Sequence, residues 1–288
     1  MRLRQSSGAL ALGVLITGVP ACDEVAPDTS ITLDFRGLVD GEPFACGREY
    51  TGIGTSASSF EPLDFRLYLH DFAVVTPDGE EVPVVPVQDA RWQRDGFALL
   101  DFEDGTAACE TGSPTTHTTV ELYDESASEI AGIAFSIGLP ASENHLDAAT
   151  APAPLNEPGM WWSWRGGYKF VRADVRTASG TPFYFHLGST SCEGTPATGF
   201  SCGKGNIPRI TIDGLDPDDQ EIGVDLARLY DGVDITAVPD FASDFVAGCM
   251  AFSGDPECPG MFAALGMAFE SAPAPSDPQS MFRAEVRR

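Results

Sequence analysis

Aromatic residues and histidines are concentrated in one part of this sequence. Three of its four tryptophans, Trp161, Trp162 and Trp164, fall within four residues, and His145 and His186 flank them. Indole offers an N–H donor and no usable lone pair, so an intact tryptophan can stack or be oxidised but cannot bind a metal. Because such large rings also need close packing, the cluster indicates a dense core corner, an aromatic binding platform or a redox-active site.

The histidines are the residues best suited to binding a metal, because neutral imidazole is a common ligand for copper and zinc. None of the four lies in a close pair or an H-E-x-x-H motif, so their spacing alone is weak evidence. His145 opens a long loop that leads to the tryptophans, and His186 lies near the end of an aromatic strand. We expect both to reach the tryptophans at one end of the domain. His70, on the polar face of a predicted strand, ranks behind them and ahead of His117.

Other motifs for catalysis or binding are absent from the sequence. There is no G-x-S-x-G nucleophile motif, no glycine-rich phosphate loop before a helix and no C-x-x-C-H haem motif. One acidic cluster has the oxygen ligands that calcium prefers, although it lacks the EF-hand register; its members are Asp213, Asp216, Asp218, Asp219 and Glu221. Calcium is therefore a secondary prediction, and a solvated acidic turn is the alternative.

Short strands must position these residues, because the dominant pattern is short apolar or alternating runs bounded by Gly, Pro, Asp and Ser. The predicted strands are 31–38, 63–75, 82–87, 97–102, 117–123, 130–139, 168–175, 183–187 and 207–212, of which 168–175 and 183–187 are joined by a turn. Short helices are expected at 224–230, 241–250 and 260–269. The pattern predicts an all-β fold: a β-sandwich with long loops, a few short helices near the C-terminus and disulfide staples.

The N-terminus has the features of a secretory signal. Arg2 and Arg4 precede an apolar run that ends before Cys22 and is too short to span a bilayer. We assign residues 1–21 to a signal peptide, 22–30 to a polar tether and 31–288 to a single domain. Cys22 stands where a lipoprotein carries its acylated cysteine, and cleavage by an ordinary signal peptidase is the alternative. The protein is therefore expected in the periplasm or on the outer surface.

The remaining six cysteines fit export, because an even number can pair completely in an oxidising compartment. Six cysteines allow fifteen pairings, so the connectivity stays open. Proximity favours Cys192–Cys202 and Cys249–Cys258, which leaves Cys46 with Cys109.

The formal net charge is −26, and the predicted signal peptide contributes two arginines and no acids. A surface this acidic repels nucleic acid and anionic lipid, so neither is an expected partner. Contact with a membrane is expected only through a lipid anchor at Cys22.

Several segments follow the order and spacing of a known family. They are 65–71, 98–105, 137–140, 144–145, 154–156, 160–170, 185–190 with Cys192, and 248–250. On these segments the chain resembles the MbnP-like periplasmic copper-binding proteins, the four-cysteine members of metallo-mystery pairs. The seven cysteines exceed a four-cysteine set, so the correspondence of the cysteines stays open.

The resemblance implies a copper-binding protein that is not an enzyme but the substrate of one, a secreted di-haem enzyme similar to MauG and cytochrome c peroxidase. That partner oxidises a tryptophan to kynurenine, whose aryl amine has the lone pair that indole lacks. His145 in Asn-His and His186 in Phe-His-Leu-Gly match the family pattern for ligands. Trp162 or Trp164 matches the modified residue, and His70 is a reserve ligand.

Two residues next to the candidate tryptophans are given secondary roles. Trp161 is a candidate electron relay to the haem partner, and Met160 is a thioether that either packs or assists Cu(I).

Two other functions compete with the copper hypothesis. The first rival function is an extracellular carbohydrate- or peptide-binding module that uses the three clustered tryptophans as a stacking platform. The second is a structural exoprotein with a tryptophan-rich core.

Overall fold

A computed structural model describes residues 30–124, 129–237, 246–276 and 278–287. The predicted signal peptide, Cys22 and the tether up to residue 29 lie outside the described residues. The strands of the described part are β1 (Ser30–Val39), β2 (Glu42–Pro43), β3 (Tyr50–Ile53), β4 (Ser58–Val75), β5 (Glu81–Pro83), β6 (Val85–Pro86), β7 (Gln93–Arg94), β8 (Phe97–Asp101), β9 (Thr119–Tyr123), β10 (Gly132–Ile137), β11 (Trp161–Ser163), β12 (Gly167–Tyr168), β13 (Val171–Thr177), β14 (Pro182–Leu187), β15 (Thr190–Thr195), β16 (Gly199–Lys204), β17 (Arg209–Asp213), β18 (Gln220–Asp225), β19 (Gly248–Cys249) and β20 (Phe282–Val286). The helices are α1 (Leu226–Tyr230), α2 (Cys258–Ala264) and a 3₁₀ turn at Pro158–Met160.

Two sheets form the predicted all-β sandwich. The smaller has the order β20-β18-β1-β9-β6, with β2 on β1. The larger has the order β17-β10-β4-β13-β14-β19, with β3, β5 and β8 on β4 and β7 on β8. Phe135 of the larger sheet contacts Phe35 and Phe282 of the smaller one, with ring centroids 5.9 and 5.5 Å apart. These rings join the inner faces of both sheets in one hydrophobic core.

The strands follow from the sequence pattern. In β1 the side chains of Ile31, Leu33 and Phe35 are buried in alternation, as expected for a strand with one face on a core. The predicted hairpin is also present: β13 and β14 pair in antiparallel register from Val171 with Leu187 to Arg176 with Pro182. This hairpin places His186 on β14, between β13 and the edge strand β19 of the large sheet.

The helix predictions are partly correct. Helix α1 ends at Tyr230 as predicted, and the Asp225 side chain caps it by accepting a hydrogen bond from the Ala227 N–H. Helix α2 begins two residues before the predicted start and ends at Ala264.

The helix predicted at 241–250 is wrong for its described part, residues 246–250, and residues 241–245 lie outside the described residues. Gly248 and Cys249 form β19, which pairs in parallel with β14. Gly248 has φ +102°, and a Cβ there would lie 2.0 Å from the Tyr184 carbonyl oxygen. This close approach of two backbones requires glycine and is incompatible with a right-handed helix.

Three disulfides staple the fold: Cys46–Cys109, Cys192–Cys202 and Cys249–Cys258. They are the two pairs that proximity favoured and the pair that these left over. Cys192 and Cys202 face each other across the β15–β16 hairpin, which follows β14 in the chain. Within the described residues, no helix is long and apolar enough to cross a membrane.

Candidate metal centre

The clustered tryptophans lie on a small hairpin, β11–β12, whose tip is the turn at 164–166. Trp161 pairs with Tyr168, and the Tyr168 N–H donates a hydrogen bond to Asn144 Oδ1 at 3.0 Å. Gly167 has φ +72°, and a Cβ there would lie 2.5 Å from Asn144 Oδ1. Glycine is therefore required at this position, and Asn144 ties the start of the long loop to the tryptophan hairpin.

The long loop itself is anchored on the core. The hydroxyl of Tyr68 donates to the Pro154 carbonyl at 3.0 Å, and that of Tyr168 donates to the Leu155 carbonyl at 2.8 Å. Leu155 is fully buried. Two buried tyrosines thus hold the loop, and with it the approach to the tryptophans, in a defined position.

Trp162 and His186, which we call the strand pair, lie in direct contact. Their ring centroids are 6.2 Å apart at an interplanar angle of 55°. The Trp162 ring also stacks on Phe252, with ring centroids 5.9 Å apart. Gly188 makes room for the indole, because a Cβ at that residue would lie 2.6 Å from Trp162 Cζ3. The Trp162 indole therefore packs against both Gly188, just after β14, and Phe252.

The His186 side chain has one nitrogen satisfied and one free. Nε2 lies 2.8 Å from Asp174 Oδ1, and both side chains are buried, with exposures of 6% and 1%. An ionised carboxylate only accepts hydrogen bonds, so Nε2 carries the proton. Nδ1 is buried and has no hydrogen-bond partner among the described residues. A buried imidazole nitrogen with a free lone pair is a ligand that copper or zinc takes, so the residue fits a metal site.

The charges around His186 support this protonation state. Burial lowers the pKa of His186 and outweighs the opposing effect of Asp174, so the ring is neutral at neutral pH. Burial by itself opposes ionisation of Asp174, but the hydrogen bond from His186, the charge that His186 carries when it is protonated and the charge of Arg172 together lower the pKa of that carboxyl. Arg172 Nε donates to Asp174 Oδ2 at 2.7 Å, and Arg172 Nη1 lies 2.9 Å from Asp64 Oδ2.

Trp164 and His145, which we call the loop pair, form a second and more open unit. His145 Nδ1 lies 2.8 Å from the Trp164 carbonyl oxygen, so Nδ1 carries the proton and Nε2 holds the lone pair. Nε2 lies 3.3 Å from both Cys202 Sγ and Asn144 Nδ2. The imidazole stacks on Phe200 with centroids 4.5 Å apart. The Trp164 side chain is half exposed, at 50%.

Trp162 and the loop pair line separate cavities, and one disulfide lies between them. A largely apolar cavity of about 620 Å³ is lined by residues that include Trp162, Met250, Phe252 and Cys192. A second cavity of about 570 Å³ is lined by Trp164 and His145 with Phe200. Because Cys192 lines the first cavity and its disulfide partner Cys202 contacts His145, the Cys192–Cys202 bridge links the two.

The first two clustered tryptophans have different surroundings, as neighbouring residues of a strand do. Trp161 packs against the core, with its indole nitrogen buried and without a partner among the described residues. Trp162 lines the cavity beside Phe252. An extended chain would place Trp164 on the same side as Trp162, but the turn that begins at Trp164 directs it to the cavity of His145 instead.

With this geometry established, comparison with known proteins is informative. A family model named MbnP matches residues 28–251 of the chain. The chain belongs to the MbnP family. The structure of MbnP from Methylosinus trichosporium is similar to it over 90% of this chain and 99% of that chain, with a TM-score of 0.76 and 30% sequence identity. Among curated proteins, no significant match was found. The resemblance noted in the sequence and the sandwich fold are thereby confirmed.

The other histidines of this MbnP-family chain lie elsewhere. His70 is on β4, opposite Phe97 and Ser136. Burial lowers its pKa, and its Nε2 is buried without a partner among the described residues. No contact joins it to the strand pair or the loop pair in the described part of the chain. His117 has a structural role: its ring stacks on Trp92 at 5.0 Å, and its Nδ1 lies 2.7 Å from the Leu99 carbonyl oxygen.

The remaining candidates are placed as follows. Met160 is fully buried, in keeping with a packing role. The acidic cluster at 213–221 forms a turn in which Asp216 Oδ1 accepts from the Asp218 N–H at 3.0 Å, and Glu221 pairs with Arg36 at 3.1 Å. Among the described residues, no three carboxylates of this cluster come within 4.8 Å of one another. A calcium site there stays a prediction.

Sequence reasoning missed Asp174, Gly188 and Phe252. Asp174 had an available signal, because it lies two residues from Arg172 on a predicted strand, and Arg172 stands opposite His186 in the predicted hairpin. Pairing the two strands would have placed a carboxylate beside the imidazole. Phe252 had no such signal, since it reaches Trp162 only through the long-range placement of the segment after β19.

Proposed function

We propose that this MbnP-family protein is an exported copper-binding protein whose site is built on His186 and an oxidised Trp162, with His145 as the second imidazole. The observation that carries the proposal is the buried, unpartnered Nδ1 of His186 within the described residues. Leaving a buried acceptor unpaired costs about 1–3 kcal/mol, so a role as a metal ligand gives a reason for its presence. Copper suits a site of imidazoles and a neutral amine.

Trp162 is the better candidate for modification than Trp164. Its ring lies against that of His186, whereas Trp164 contributes only its backbone carbonyl to His145. Oxidation cleaves the indole C2–C3 bond with uptake of two oxygen atoms, and water then releases the C2 carbon as formate. The product, kynurenine, has gained one oxygen atom and lost one carbon atom. Its free aryl amine has the lone pair that the indole lacks.

His145 is proposed as a ligand through Nε2, the nitrogen that its contact with the Trp164 carbonyl leaves unprotonated. Asn144 Nδ2, 3.3 Å away, would have to release that nitrogen when copper binds. His70 remains a reserve, because no hydrogen bond or ring contact among the described residues joins it to either pair.

The oxidation requires a partner, because nothing in the described residues supplies an oxidant. We propose a secreted di-haem enzyme of the MauG and cytochrome c peroxidase type, with its peroxide or dioxygen chemistry providing the two oxygen atoms. The protein itself is proposed to be a substrate and a copper carrier and not an enzyme. Export to the periplasm or the outer surface belongs to the same proposal and is supported by the three disulfides. A lipid anchor at Cys22 is proposed from the sequence of the N-terminus alone.

The rival function, a sugar- or peptide-binding platform, is disfavoured by the directions of the indoles. A stacking platform needs rings that share one face, but Trp161 packs on the core, Trp162 lies against Phe252, and Trp164 lines another cavity. The half-exposed Trp164 is the feature that keeps this function open to test.

The deciding experiment is to produce the protein with and without a co-expressed di-haem partner and compare the two forms. Peptide mass spectrometry of residues 160–170 should show one oxygen gained and one carbon lost on Trp162 in the first form alone. That form should bind one copper ion tightly and the unmodified form more weakly. Equal copper binding by both forms, or binding of glycans by the unmodified one, would contradict the proposal.

A further inference from the structure

We propose that Asp174 is a positioning residue that fixes His186 in the tautomer with the proton on Nε2 and the lone pair on Nδ1. The significance for copper rests on the proposed function. The tautomer itself is a property of the copper-free protein and can be tested without any metal.

The first support is the contact between the two side chains. His186 Nε2 and Asp174 Oδ1 are 2.8 Å apart, a normal charge-assisted hydrogen-bond distance. The two side chains are almost fully buried, at 6% and 1% exposure, so water cannot replace the partner. A neutral imidazole has one donor and one acceptor nitrogen. Donation from Nε2 to the carboxylate therefore leaves Nδ1 as the acceptor.

The second support is that Asp174 cannot turn away. Its other oxygen, Oδ2, accepts from Arg172 Nε at 2.7 Å, and Arg172 is held in turn by Asp64 at 2.9 Å. Asp64 also accepts from Arg66 Nε at 2.8 Å. These residues occupy adjacent positions on β4 and β13, with Asp64 opposite Asp174 and Arg66 opposite Arg172. The register of two central strands thus sets the orientation of the carboxylate.

This arrangement has the form of a carboxylate–histidine–metal unit. In such units the outer carboxylate fixes the ring orientation and the tautomer and makes the ligating nitrogen more basic, and its loss weakens metal binding about 10- to 100-fold. Here the carboxylate and the arginine behind it are both present, and the nitrogen that would face the metal is the one without a partner in the described part of the chain.

The substitution Asp174→Asn makes a sharp test because Arg172 restricts how the new amide can lie. Arginine stays protonated and only donates hydrogen bonds, so the amide oxygen must remain toward Arg172 Nε. The amide NH₂ then faces His186 Nε2, which has to become the acceptor. The proton moves to Nδ1, and the lone pair that would bind copper is lost.

The experiment is a long-range ¹⁵N–¹H correlation spectrum of the histidine rings in the copper-free, folded protein. The wild type should show His186 protonated on Nε2, and Asp174→Asn should show the proton on Nδ1. A competition titration with Cu(I) on protein produced with the di-haem partner should then give about 10- to 100-fold weaker binding for the variant. A wild-type proton on Nδ1, or an unchanged tautomer in the folded variant, would overturn the proposal.

A matched control separates positioning from folding. Asp225 is also fully buried, pairs with Arg283 at 3.1 Å and lies on β18 in the other sheet. Asp225→Asn should lower stability without changing the tautomer of His186 or the copper affinity. If Asp174→Asn does not fold, the wild-type spectrum alone still decides the tautomer. Failure of the wild type to bind copper, with Nε2 protonated as expected, would overturn the proposed function and leave the role of Asp174 standing.

Discussion

The strand pair and the loop pair hold their histidines in opposite ways. His186 lies on a strand of the large sheet, and the only described hydrogen bond of its imidazole is to Asp174, a carboxylate that Arg172 holds in place. His145 is half-buried on a loop, and it contacts a backbone carbonyl, an aromatic ring and a disulfide. One imidazole is fixed before any ligand arrives, and the other has room to adjust.

This difference predicts that the two pairs have different roles in the proposed copper site. A preorganised ligand loses little freedom on binding, whereas a ligand on a loop must give up its existing contacts first. The strand pair should therefore set most of the affinity. The loop pair, beside the open cavity, should control how the metal enters and leaves.

The largest effect should come from removing the two histidines one at a time in protein that carries the modified tryptophan. Because loss of an outer partner alone costs about 10- to 100-fold, loss of a ligand should cost more than about 100-fold. Both His186→Ala and His145→Ala should lose tight copper binding while remaining folded, and His186→Ala should be the weaker binder. Competition titrations with Cu(I) measure this order.

The control for these variants is His117→Ala. It removes a ring that stacks on Trp92, so it should lower thermal stability and leave the copper affinity unchanged. Unchanged affinity in both ligand variants would remove His145 and His186 from the site. A larger loss in His145→Ala would reverse the roles assigned to the two pairs.

The second comparison is between the two tryptophans. After production with the di-haem partner, Trp162→Phe should lack the modified peptide and bind copper as weakly as unmodified protein, because phenylalanine cannot yield an aryl amine. Trp164→Phe should keep both the modification and the binding, because the backbone carbonyl that holds His145 is retained. Peptide mass spectrometry distinguishes them, and modification that persists in Trp162→Phe would transfer the role to Trp164.

The elements that carry the two pairs could be predicted from the sequence only where their local residue pattern is distinctive. The β13–β14 hairpin was predictable because alternating apolar residues and a turn define both strands, and it carries His186. The β15–β16 hairpin was not predicted as a pair of strands, because its residues are mostly small and polar and its pairing is fixed by the Cys192–Cys202 bridge. Residues 246–250 were assigned to a helix because a short apolar run has no distinctive period.

The site was predictable in its residue types and less so in its grouping. His186 and Trp162 do meet, but nothing local to Trp164 revealed that the chain turns there and sends this indole to His145. The two cavities and the disulfide between them depend on how distant segments pack. Hydrogen bonds such as that of Asp174 become visible only when strand register is known.

A smaller effect is expected from filling the space that Trp162 occupies. In Gly188→Ala the new methyl group would lie 2.6 Å from the Trp162 ring and 2.8 Å from the Tyr168 carbonyl oxygen. Overpacking of this kind costs about 1–3 kcal/mol of stability, and it should also move the indole away from His186 and reduce the yield of modification. Urea unfolding and peptide mass spectrometry report the two effects.

Gly205→Ala is the matched control, because the nearest atom to a Cβ there is Ile207 Cδ1 at 4.0 Å. It should leave stability and modification nearly unchanged. An equal loss in both variants would show that the loop after β16, and not the contact with Trp162, limits the reaction.

The smallest expected effect is the change of folding stability with pH that is caused by Asp101, a buried carboxylate on β8. Burial, together with the nearby Glu103, raises the pKa of Asp101 to about 8. The folded protein then holds a proton that the unfolded chain releases near pH 4, so this group stabilises the fold most at acidic pH and its contribution is lost as the pH rises toward 8. Urea unfolding of the copper-free protein should therefore show lower stability at about pH 8.5 than at about pH 6.

The variant Asp101→Asn mimics the protonated acid, so its stability should depend less on pH over that interval. A variant with the full wild-type slope would assign the titration to another group.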